Sequence, residues 1–374
     1  MTRIYMQEKK KILHLISGLE IGGAETQLLR ILPELQKYHE SRVCCVRGHG
    51  PIGKQLEEKG VPVHYLEFCG LLDLGVIYRF YKVIQEFQPD ILATYLIHAD
   101  LYGRVLGRLF GIKTIVSSKR GLLLQWEWLA FFDRLTKGLV THYLVQTEKA
   151  KKEWMERLRL PNEKKFTIIP NGIDASQFQI DINKAKKKTS LGIPEDACVI
   201  SCVSRLRRKK GHEYLLDAFE QIVKKHKNTT LLLVGDGERA DELRKQIADY
   251  TSRGAIRFLG NRTDVPEILA ITDIFVLPTE GEGMSNAIIE AMTAGKAIVT
   301  TNIPENRELI KDQITGILVE SRDSSALFSG INLLIKEEQL SKEFGKNARR
   351  QALEELDIEK VVEKIKNFYS SLTN

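Results

Sequence analysis

The segment Glu282-Gly-Met-Ser-Asn-Ala-Ile-Ile-Glu290 places two carboxylates eight residues apart, directly after a predicted strand at Ile274–Leu277. At that spacing they cannot share one helical face, so we expect Glu282 in a turn and Glu290 in the following helix. A strand-to-helix turn presents free backbone N–H groups, which suit phosphates or sugar hydroxyls. Carboxylates accept hydrogen bonds from hydroxyls, which favours a polyhydroxylated ligand held at two places. The alternative is a helix N-terminus whose acidic residues complement the helix dipole.

A second segment, Ser204-Arg-Leu-Arg-Arg-Lys-Lys-Gly211, follows a predicted strand at Val199–Ser204 and precedes a helix. Clustered cations at the carboxyl end of a strand, followed by a glycine, suit a diphosphate. Position favours Arg205, which leaves the strand directly, and Lys210, which precedes the glycine. The alternative is a solvated basic loop.

A third glycine turn lies in Ser17-Gly-Leu-Glu-Ile-Gly-Gly-Ala24, where Gly22 and Gly23 predict a tight turn that lets the backbone approach a ligand. The segment does not fit G-x-G-x-x-G, and no acidic residue follows a second strand as a ribose clamp. A nicotinamide-dependent dehydrogenase is therefore disfavoured.

These segments require strands that place them at one edge of a sheet. Apolar runs alternate with amphipathic stretches along the whole chain, which indicates βαβ units and parallel sheets. We expect an α/β protein with two Rossmann-like domains in tandem and a cleft between them. The predicted strands are Lys11–Ile16, Val43–Arg47, Val61–Leu66, Ile91–Tyr95, Thr114–Ser118, His142–Val145 and Phe166–Ile169, then Val199–Ser204, Thr230–Gly235, Ile256–Leu259, Ile274–Leu277, Ala297–Thr301 and Gly316–Val319.

Composition shifts predict the domain boundaries. We expect an N-terminal Rossmann-like domain over residues 1–172 and a polar, lysine-rich linker over 173–196. A second Rossmann-like domain follows over 197–357, and a last helix over 358–374 is expected to pack back toward the N-terminal domain.

The chain has 374 residues, 43% hydrophobic and 28% charged, which excludes a disordered or fibrous protein. No apolar run is long enough to predict a transmembrane helix, and no signal peptide is visible. The five cysteines follow no C-x-x-C spacing and lie mostly in apolar runs. Such cysteines are typical of reduced, buried thiols, and they favour a cytoplasmic protein.

The net charge of +7 lies entirely in the first half, since residues 1–180 hold 26 Lys and Arg against 19 Asp and Glu. It peaks over Leu101–Arg120, with five basic residues and no acidic one. This asymmetry predicts an acidic partner, which is a phosphate-bearing substrate, an anionic membrane surface or a nucleic acid. The alternative is a solvated basic face.

Four segments together resemble the retaining glycosyltransferases of the GT-B fold, family 4. They are GGAETQLLRIL from Gly22, NGID at Asn171–Asp174, SRLRRKKG from Ser204 and EGMSNAIIEAMTAGKAIVTT from Glu282, in the family's order and spacing. The resemblance implies transfer of a sugar from a nucleotide-sugar to an acceptor hydroxyl, with retention of configuration and without a metal. It implies a donor on the C-terminal domain and an acceptor on the N-terminal one.

Carried over by motif, the resemblance implies a role for each matched residue. Arg205 and Lys210 would neutralise the donor diphosphate, and Gly22 and Gly23 would approach the phosphate. The sugar hydroxyls would be held by Glu282 with the backbone of Gly283, Met284 and Ser285, and Glu290 would hold the ribose. The base is expected near Gly260–Arg262. We expect a UDP-sugar as the donor substrate and no separate cofactor.

The chain departs from the family at one position. Many members have a histidine at the end of the strand that corresponds to Thr114–Ser118, whereas this chain continues with Lys119 and Arg120. A histidine, His98, instead follows the preceding strand. We expect His98 and Arg120 to act on the acceptor side with Glu282 as the catalytic set, although a lone histidine after a strand is often structural.

The stretch Leu122–Leu135 is apolar nearly all round as a helix, which indicates either burial or contact with lipid. Basic neighbours, namely Arg104, Arg108, Lys113 and Lys119, raise the second possibility. The leading hypothesis is a glycosyltransferase of cell-surface glycan synthesis with a lipid-linked acceptor, peripheral to a membrane. The alternatives are a transferase with a soluble acceptor and a sugar-nucleotide epimerase. A nucleic-acid-binding protein is disfavoured, because it would leave Glu282 and Glu290 unused.

Overall fold

The structure is a computed structural model that describes residues 9–68, 73–120 and 127–372. The chain divides into two units: the first runs to Gly172 and resumes at Ile358, and the second spans Ile173–Asp357. Each unit is built on one parallel sheet. The predicted α/β fold class is confirmed.

The first unit has a seven-stranded sheet in the order β3-β2-β1-β4-β5-β6-β7, so the chain reverses its direction across the sheet between β1 and β4. Its strands are β1 Lys11–Ile16, β2 Glu40–Cys45, β3 Val63–Tyr65, β4 Ile91–Tyr95, β5 Thr114–Ser118, β6 His142–Val145 and β7 Phe166–Ile168. Its helices are α1 Gly23–Leu35, α2 Pro51–Glu58, α3 Gly75–Phe87, α4 Ile97–Leu109, α5 Glu127–Thr136, α6 Glu148–Leu158 and α15 Ile358–Ser371.

Helices cover both faces of this sheet. The cluster on one face joins α1, α2 and α15, and the cluster on the other joins α3 and α4. The last helix, α15, contributes Val361, Ile365 and Phe368 to the first cluster, so the C-terminal segment belongs to the first unit. A parallel sheet covered in this way is buried on both faces, which is why its strands read as unbroken apolar runs.

The second unit has a six-stranded sheet in the order β10-β9-β8-β11-β12-β13, and the reversal lies between β8 and β11. Its strands are β8 Cys198–Val203, β9 Thr229–Val234, β10 Ile256–Gly260, β11 Ile274–Leu277, β12 Ala297–Thr301 and β13 Ile317–Val319. Its helices are α7 Lys184–Ser190, α8 His212–Lys225, α9 Ala240–Gln246, α10 Val265–Ile271, α11 Asn286–Thr293, α12 Pro304–Arg307, α13 Ser324–Lys336 and α14 Glu338–Glu355.

The thirteen predicted strands coincide with β1–β13, with ends shifted by a few residues in β2 and β3. The segment predicted as a linker is structured and lies in the second unit. It contains α7. Asn183 is the N-cap of this helix, and its side chain accepts a hydrogen bond from the backbone N–H of Lys186. Lys187 of α7 pairs with Asp264 and Glu267 beside α10, so part of the lysine-rich charge is neutralised there.

Four of the five cysteines lie in the described ranges, and all four are free thiols. Burial raises the pKa of the Cys44, Cys198 and Cys202 thiols, which keeps them protonated and poorly nucleophilic. The prediction of unpaired, buried cysteines is confirmed for Cys44, Cys45 and Cys202, whereas Cys198 is partly buried. Cys69 lies outside the described residues.

Candidate functional site

The loops that follow β8 and β11 lie side by side at the carboxyl edge of the second sheet. These two strands are neighbours, and the chain reverses direction between them. Ligands of open α/β sheets bind at such a reversal, because the loops on its two sides run apart and leave a crevice. The segments that begin at Ser204 and Glu282 therefore meet at one place.

Backbone contacts tie these two loops together. The Lys209 carbonyl accepts hydrogen bonds from the Glu280 N–H at 2.8 Å and from the Thr279 hydroxyl at 3.1 Å. Gly211 has φ +69°, and a Cβ atom there would overlap the Pro278 carbonyl oxygen. Only glycine permits this approach, so Gly211 joins the two loops as well as starting α8.

Lys210 and Glu282 form an ion pair in which the Lys210 ammonium donates to a Glu282 carboxylate oxygen. Both side chains are largely shielded from solvent, with 22% and 16% of the side chain exposed. The sequence predicts a separate task for each residue, on diphosphate and sugar. The structure brings both predicted residues to one point, where a cation and a carboxylate stand side by side.

The glycine turn after Glu282 leads directly into α11. Gly283 and Met284 lie in the loop, and Ser285 precedes the helix, where its hydroxyl accepts from the Ile288 N–H at 3.4 Å. Glu290 lies in the second turn of α11. Glu282 and Glu290 therefore occupy the predicted loop and helix, while their roles stay predictions.

The remaining cations of the basic loop differ in their surroundings. Arg205 is exposed immediately beyond β8, at the position predicted for it. Arg207 is exposed and pairs with Glu238 at 3.4 Å.

Near the predicted base site, the Gly260 carbonyl accepts a hydrogen bond from the Gly235 N–H at 2.8 Å, which holds the ends of β9 and β10 together.

A buried histidine under the basic loop was not predicted. His212, the first residue of α8, has its Nε2 atom 2.9 Å from the Ser204 hydroxyl. Burial lowers the pKa of His212 to about 4, and the charges of Lys210 and Arg239 lower it further. A neutral histidine therefore supports the strand end from which Arg205 leaves. The sequence places His212 directly after Gly211, but nothing in its pattern indicates burial.

The first unit has a cavity of about 280 Å³ at the carboxyl ends of β1, β4 and β5. Both predicted acceptor-side residues, His98 and Arg120, line it together with Ser17, Lys119 and Trp154. Leu96, before α4, has φ +64°, an uncommon conformation for a residue with a side chain. The predicted pair thus lies in one cavity, at the reversal point of the first sheet.

Arg120 is held in this cavity by neutral groups. Its guanidinium donates to the Ser118 hydroxyl at 3.2 Å and to the Asn171 side-chain oxygen at 2.9 Å, and it lies 5.8 Å from the Tyr95 ring. No carboxylate among the described residues forms an ion pair with it. Burial lowers the pKa of Arg120 and of His98, and the Arg47 charge adds to the effect on His98. An uncompensated cation at a cavity wall suits an anionic ligand.

A buried ionic cluster, in which Asp100 and Lys119 line the cavity, corrects the predicted basic surface. Arg104 and Lys119 are 0% and 4% exposed, and each contacts both Asp100 and Asp133. Burial alone would raise the pKa of Asp100, but the Lys119 and Arg104 charges hold it well below its usual range. Arg104 and Lys119 therefore cannot face a membrane. This pairing is not visible in the stretch Leu101–Arg120, because Asp100 precedes the stretch and Asp133 lies well beyond it.

The Gly22–Gly23 turn also differs from the prediction. Gly22 precedes α1 with φ −155°, an extended conformation that any residue adopts, and Gly23 is the first residue of the helix. Neither glycine has a positive φ. These glycines are therefore not required by a tight turn, and close approach to a ligand stays a prediction for both.

The predicted helix Leu122–Leu135 is seen as α5 from Glu127, and residues 122–126 lie outside the described part of the chain. Leu129 and Ala130 are buried, whereas Phe131, Phe132 and Leu135 are exposed. The helix thus combines the two predicted possibilities, a buried side and an apolar exposed side. In the described residues, no helix is long and apolar enough to cross a membrane.

Comparison with known families identifies both halves of the chain. A family model described as "Glycosyl transferases group 1" matches residues 183–351, and one described as "Glycosyltransferase Family 4" matches residues 21–177. Together the two models span most of the chain: the first covers all six strands of the second sheet, and the second covers β2–β7 of the first sheet.

Individual relatives support the same assignment. The UDP-Gal:alpha-D-GlcNAc-diphosphoundecaprenol alpha-1,3-galactosyltransferase of Escherichia coli is 27% identical over 96% of this chain and 95% of its own length. The N-acetyl-alpha-D-glucosaminyl L-malate synthase of Bacillus anthracis is 30% identical over 56% of this chain and 54% of its own length. A crystal structure of Anabaena Alr3699/HepE in complex with UDP-glucose has a TM-score of 0.87 at 23% identity, covering 97% of this chain and all of that one. This last likeness shows the fold, which is the predicted GT-B arrangement of two Rossmann-like domains.

Proposed function

This chain belongs to the glycosyltransferases of group 1 and family 4, and on that premise we propose that it transfers a sugar from a UDP-sugar to a lipid-linked glycan acceptor. The observation that carries the proposal is the Lys210–Glu282 ion pair between the loops after β8 and β11. A cation suited to a diphosphate stands there beside a carboxylate suited to sugar hydroxyls. The UDP-Gal and diphosphoundecaprenol in the name of the Escherichia coli relative support the classes of donor and acceptor.

The second unit is assigned the donor. Arg205 and Lys210 bind the diphosphate, Glu282 and the backbone from Gly283 to Ser285 bind the sugar, and Glu290 binds the ribose. During transfer, the bond from the anomeric carbon to the phosphate oxygen breaks and a bond to the acceptor oxygen forms. The acceptor hydroxyl passes its proton to the departing diphosphate oxygen, from which it exchanges with solvent, and the nucleoside diphosphate leaves with the bonding electron pair and its negative charge. Fixed cations lower the energy of that charge as it develops.

The first unit is assigned the acceptor. The cavity at the ends of β1, β4 and β5 presents the uncompensated Arg120 guanidinium and the His98 imidazole. We assign Arg120 to an anionic group of the acceptor and His98 to the region of its reacting hydroxyl. Partial desolvation and the Arg47 charge lower the pKa of the His98 imidazole, although the residue is exposed, and this favours its neutral form. A neutral imidazole accepts a hydrogen bond from a hydroxyl.

We further propose that transfer retains the anomeric configuration and needs no metal ion. The support is the match of the motifs to a family with these properties and the presence of Lys210 beside the assigned diphosphate site. The tests are direct. Activity should survive EDTA, and NMR of the product should show the same anomeric configuration as the donor. Strict dependence on added magnesium or manganese, or an inverted product, would overturn these two assignments.

A soluble acceptor is the second candidate. The Bacillus anthracis relative, which is named for a small acid as its acceptor, favours it. An anionic site at Arg120 would serve a carboxylate as well as a phosphate. Transfer to malate or another small acid, with none to a lipid diphosphate sugar, would decide for this candidate.

The central experiment measures thermal stabilisation of the full chain by UDP, GDP, ADP and CMP, with a DNA oligonucleotide as the comparison. Ligands that bind only the folded state raise its melting temperature, and the stabilisation grows with the logarithm of the ratio of ligand concentration to Kd. We expect stabilisation by UDP and none by the oligonucleotide. Labelled UDP-sugars are then tested for transfer to a short-chain lipid diphosphate sugar in detergent. A protein that no nucleoside diphosphate stabilises would contradict the proposed function.

A further inference from the structure

Large apolar side chains are exposed mainly on three consecutive helices of the first unit. Of the thirteen such side chains in the described residues, nine lie on α3, α4 and α5 or at their ends. Scattered exposed apolar residues are normal, but a concentration on adjoining helices marks an interaction surface. We call these nine the apolar face: Leu74, Tyr78, Tyr81, Tyr102, Val105, Leu109, Phe131, Phe132 and Leu135.

The three helices adjoin one another, so the nine side chains belong to one surface. The Tyr81 ring of α3 lies 5.2 Å from the ring of Phe110, which follows α4. The Arg104 guanidinium of α4 donates to the Thr136 hydroxyl at the end of α5, at 3.1 Å. Contacts therefore run from α3 through α4 to α5.

On α4 the exposed side chains do not arise from poor packing of the helix. Tyr102, Val105 and Leu109 follow helical spacing along one side. On the opposite side, Gly103 and Gly107 pack so closely on the sheet that a Cβ atom at either would crowd Leu92 or its neighbours. The helix is thus fully seated on its core and still presents an apolar stripe outward.

Three cations beside the apolar face have no carboxylate partner in the described part of the chain. Asp100 of α4 and Asp133 of α5 are buried, Glu86 of α3 pairs with Arg42 at 3.3 Å, and the side chain of Glu127 lies outside the described side chains. Arg108, Arg134 and Lys137 donate to backbone carbonyls of Leu139, Arg157 and Leu158, and none of the three pairs with a carboxylate among the described residues. Their charge is therefore uncompensated. Exposed aromatic and leucine side chains beside uncompensated cations match the interfacial zone of an anionic bilayer.

We propose that the apolar face docks on a lipid bilayer, with its Tyr, Phe and Leu side chains among the headgroups and its cations on anionic lipid. The direction of α4 agrees with this. Its first turn carries His98 at the cavity, and Leu109 lies eleven residues further, about 16 Å along the helix. If the proposed function holds, the headgroup of a lipid-linked acceptor occupies the cavity and its chain follows α4 toward the bilayer.

The test is co-sedimentation of the full chain with phosphatidylcholine vesicles, with and without phosphatidylglycerol, at low and high salt. The face variant carries Leu109→Ser, Phe131→Ser and Leu135→Ser. The matched control carries Tyr38→Ser, Ile314→Ser and Leu333→Ser, which are exposed apolar positions elsewhere. Melting temperature and UDP binding of each variant show that it is folded.

We expect wild type and control to bind anionic vesicles, with part of the binding persisting at high salt because apolar insertion is not screened. The partition coefficient of the face variant should be about tenfold or more lower than that of wild type, because three large apolar side chains no longer insert into the bilayer. Equal partitioning of face variant and control, or no binding by wild type, would overturn the proposal. So would self-association of wild type that the face variant abolishes, because the occupant would then be a second copy. UDP binding and transfer in detergent are independent of these outcomes, so failure here leaves the proposed function standing.

Discussion

Lys210 and Glu282 pair with each other across the two loops, although 72 positions separate them in the chain. This ion pair restrains both side chains. A bound diphosphate would compete with Glu282 for the Lys210 ammonium, so donor binding and the Glu282 conformation are coupled. Residues that share one interaction have non-additive effects on substitution.

Substitution of the cations assigned to the diphosphate should weaken the donor complex. Lys210→Ala and Arg205→Ala each remove a charge-assisted hydrogen bond worth about 1.5–3 kcal/mol, or about ten- to a hundredfold in affinity. Calorimetry with UDP measures the loss. Arg207→Ala is the matched control, since Arg207 lies in the same loop but pairs with Glu238. Equal losses for all three variants would show a diffuse charge effect rather than a site.

Alanine substitution of the two carboxylates assigned to the donor should change different kinetic parameters. Glu282→Ala should lower kcat more than it raises KM for the donor, because Glu282 is assigned to the sugar. Glu290→Ala should raise donor KM more, because it is assigned to the ribose from within α11. Each loss should be about ten- to a hundredfold in kcat/KM. Full activity of either folded variant would remove that residue from the site.

Changes in the first-unit cavity should affect the acceptor and leave the nucleotide alone. Arg120→Ala is expected to raise acceptor KM by about tenfold or more, and Arg120→Lys should restore part of the binding, since it keeps the charge. His98→Ala should lower kcat. UDP affinity should be unchanged in all three. A loss of UDP binding in Arg120→Ala would contradict the assignment to the acceptor.

The buried ionic cluster should dominate the stability of the first unit. Asp133→Ala leaves Arg104 and Lys119 buried with one carboxylate instead of two. Removing one partner of a buried pair costs about 3–5 kcal/mol. Urea unfolding measures the change. Asp241→Ala, which breaks an exposed pair with Arg244, should cost less than about 1 kcal/mol. Similar costs for the two variants would show that the cluster contributes no more than a surface pair.

Two buried histidines should make the protein less stable at acidic pH. Burial lowers the pKa of His14 to about 3 and of His212 to about 4, below the value of about 6.5 in an unfolded chain. Below pH 6.5 the unfolded chain binds protons that the folded chain excludes. The free energy of unfolding is therefore highest above pH 6.5 and falls toward pH 4, by about 3 kcal/mol for His212.

Urea unfolding at several pH values between 7 and 4.5 measures this dependence. His212→Gln should reduce the number of protons taken up on unfolding by about one, because it removes one group that titrates differently in the two states. The free energy of unfolding should then depend less steeply on pH. His49→Gln, a histidine substitution at an exposed position, is the control. An unchanged slope in His212→Gln would show that His212 is not buried as a neutral ring.

The sequence by itself determined the secondary structure and the location of the candidate sites. Strand–helix alternation marks each parallel strand, because a strand covered on both faces must be apolar along its whole length. Motifs that directly follow such strands must lie at the carboxyl edge of the sheet. The placement of His98 and Arg120 at the ends of their strands was therefore predictable. That the loops at Ser204 and Glu282 are neighbours follows from the strand order, which the sequence did not predict.

Only the tertiary structure decided which charged and apolar side chains face solvent. Arg104, Lys119 and Arg108 look alike in the acid-free window, yet two are buried against Asp100 and Asp133 while Arg108 caps backbone carbonyls. Pairing depends on which distant segments the fold brings into contact, and the pattern along one segment contains no record of that. For the same reason the all-round apolar pattern of α5 could not separate burial from exposure. The helix is buried on the side that α4 and α6 cover, and exposed on the side that neither reaches.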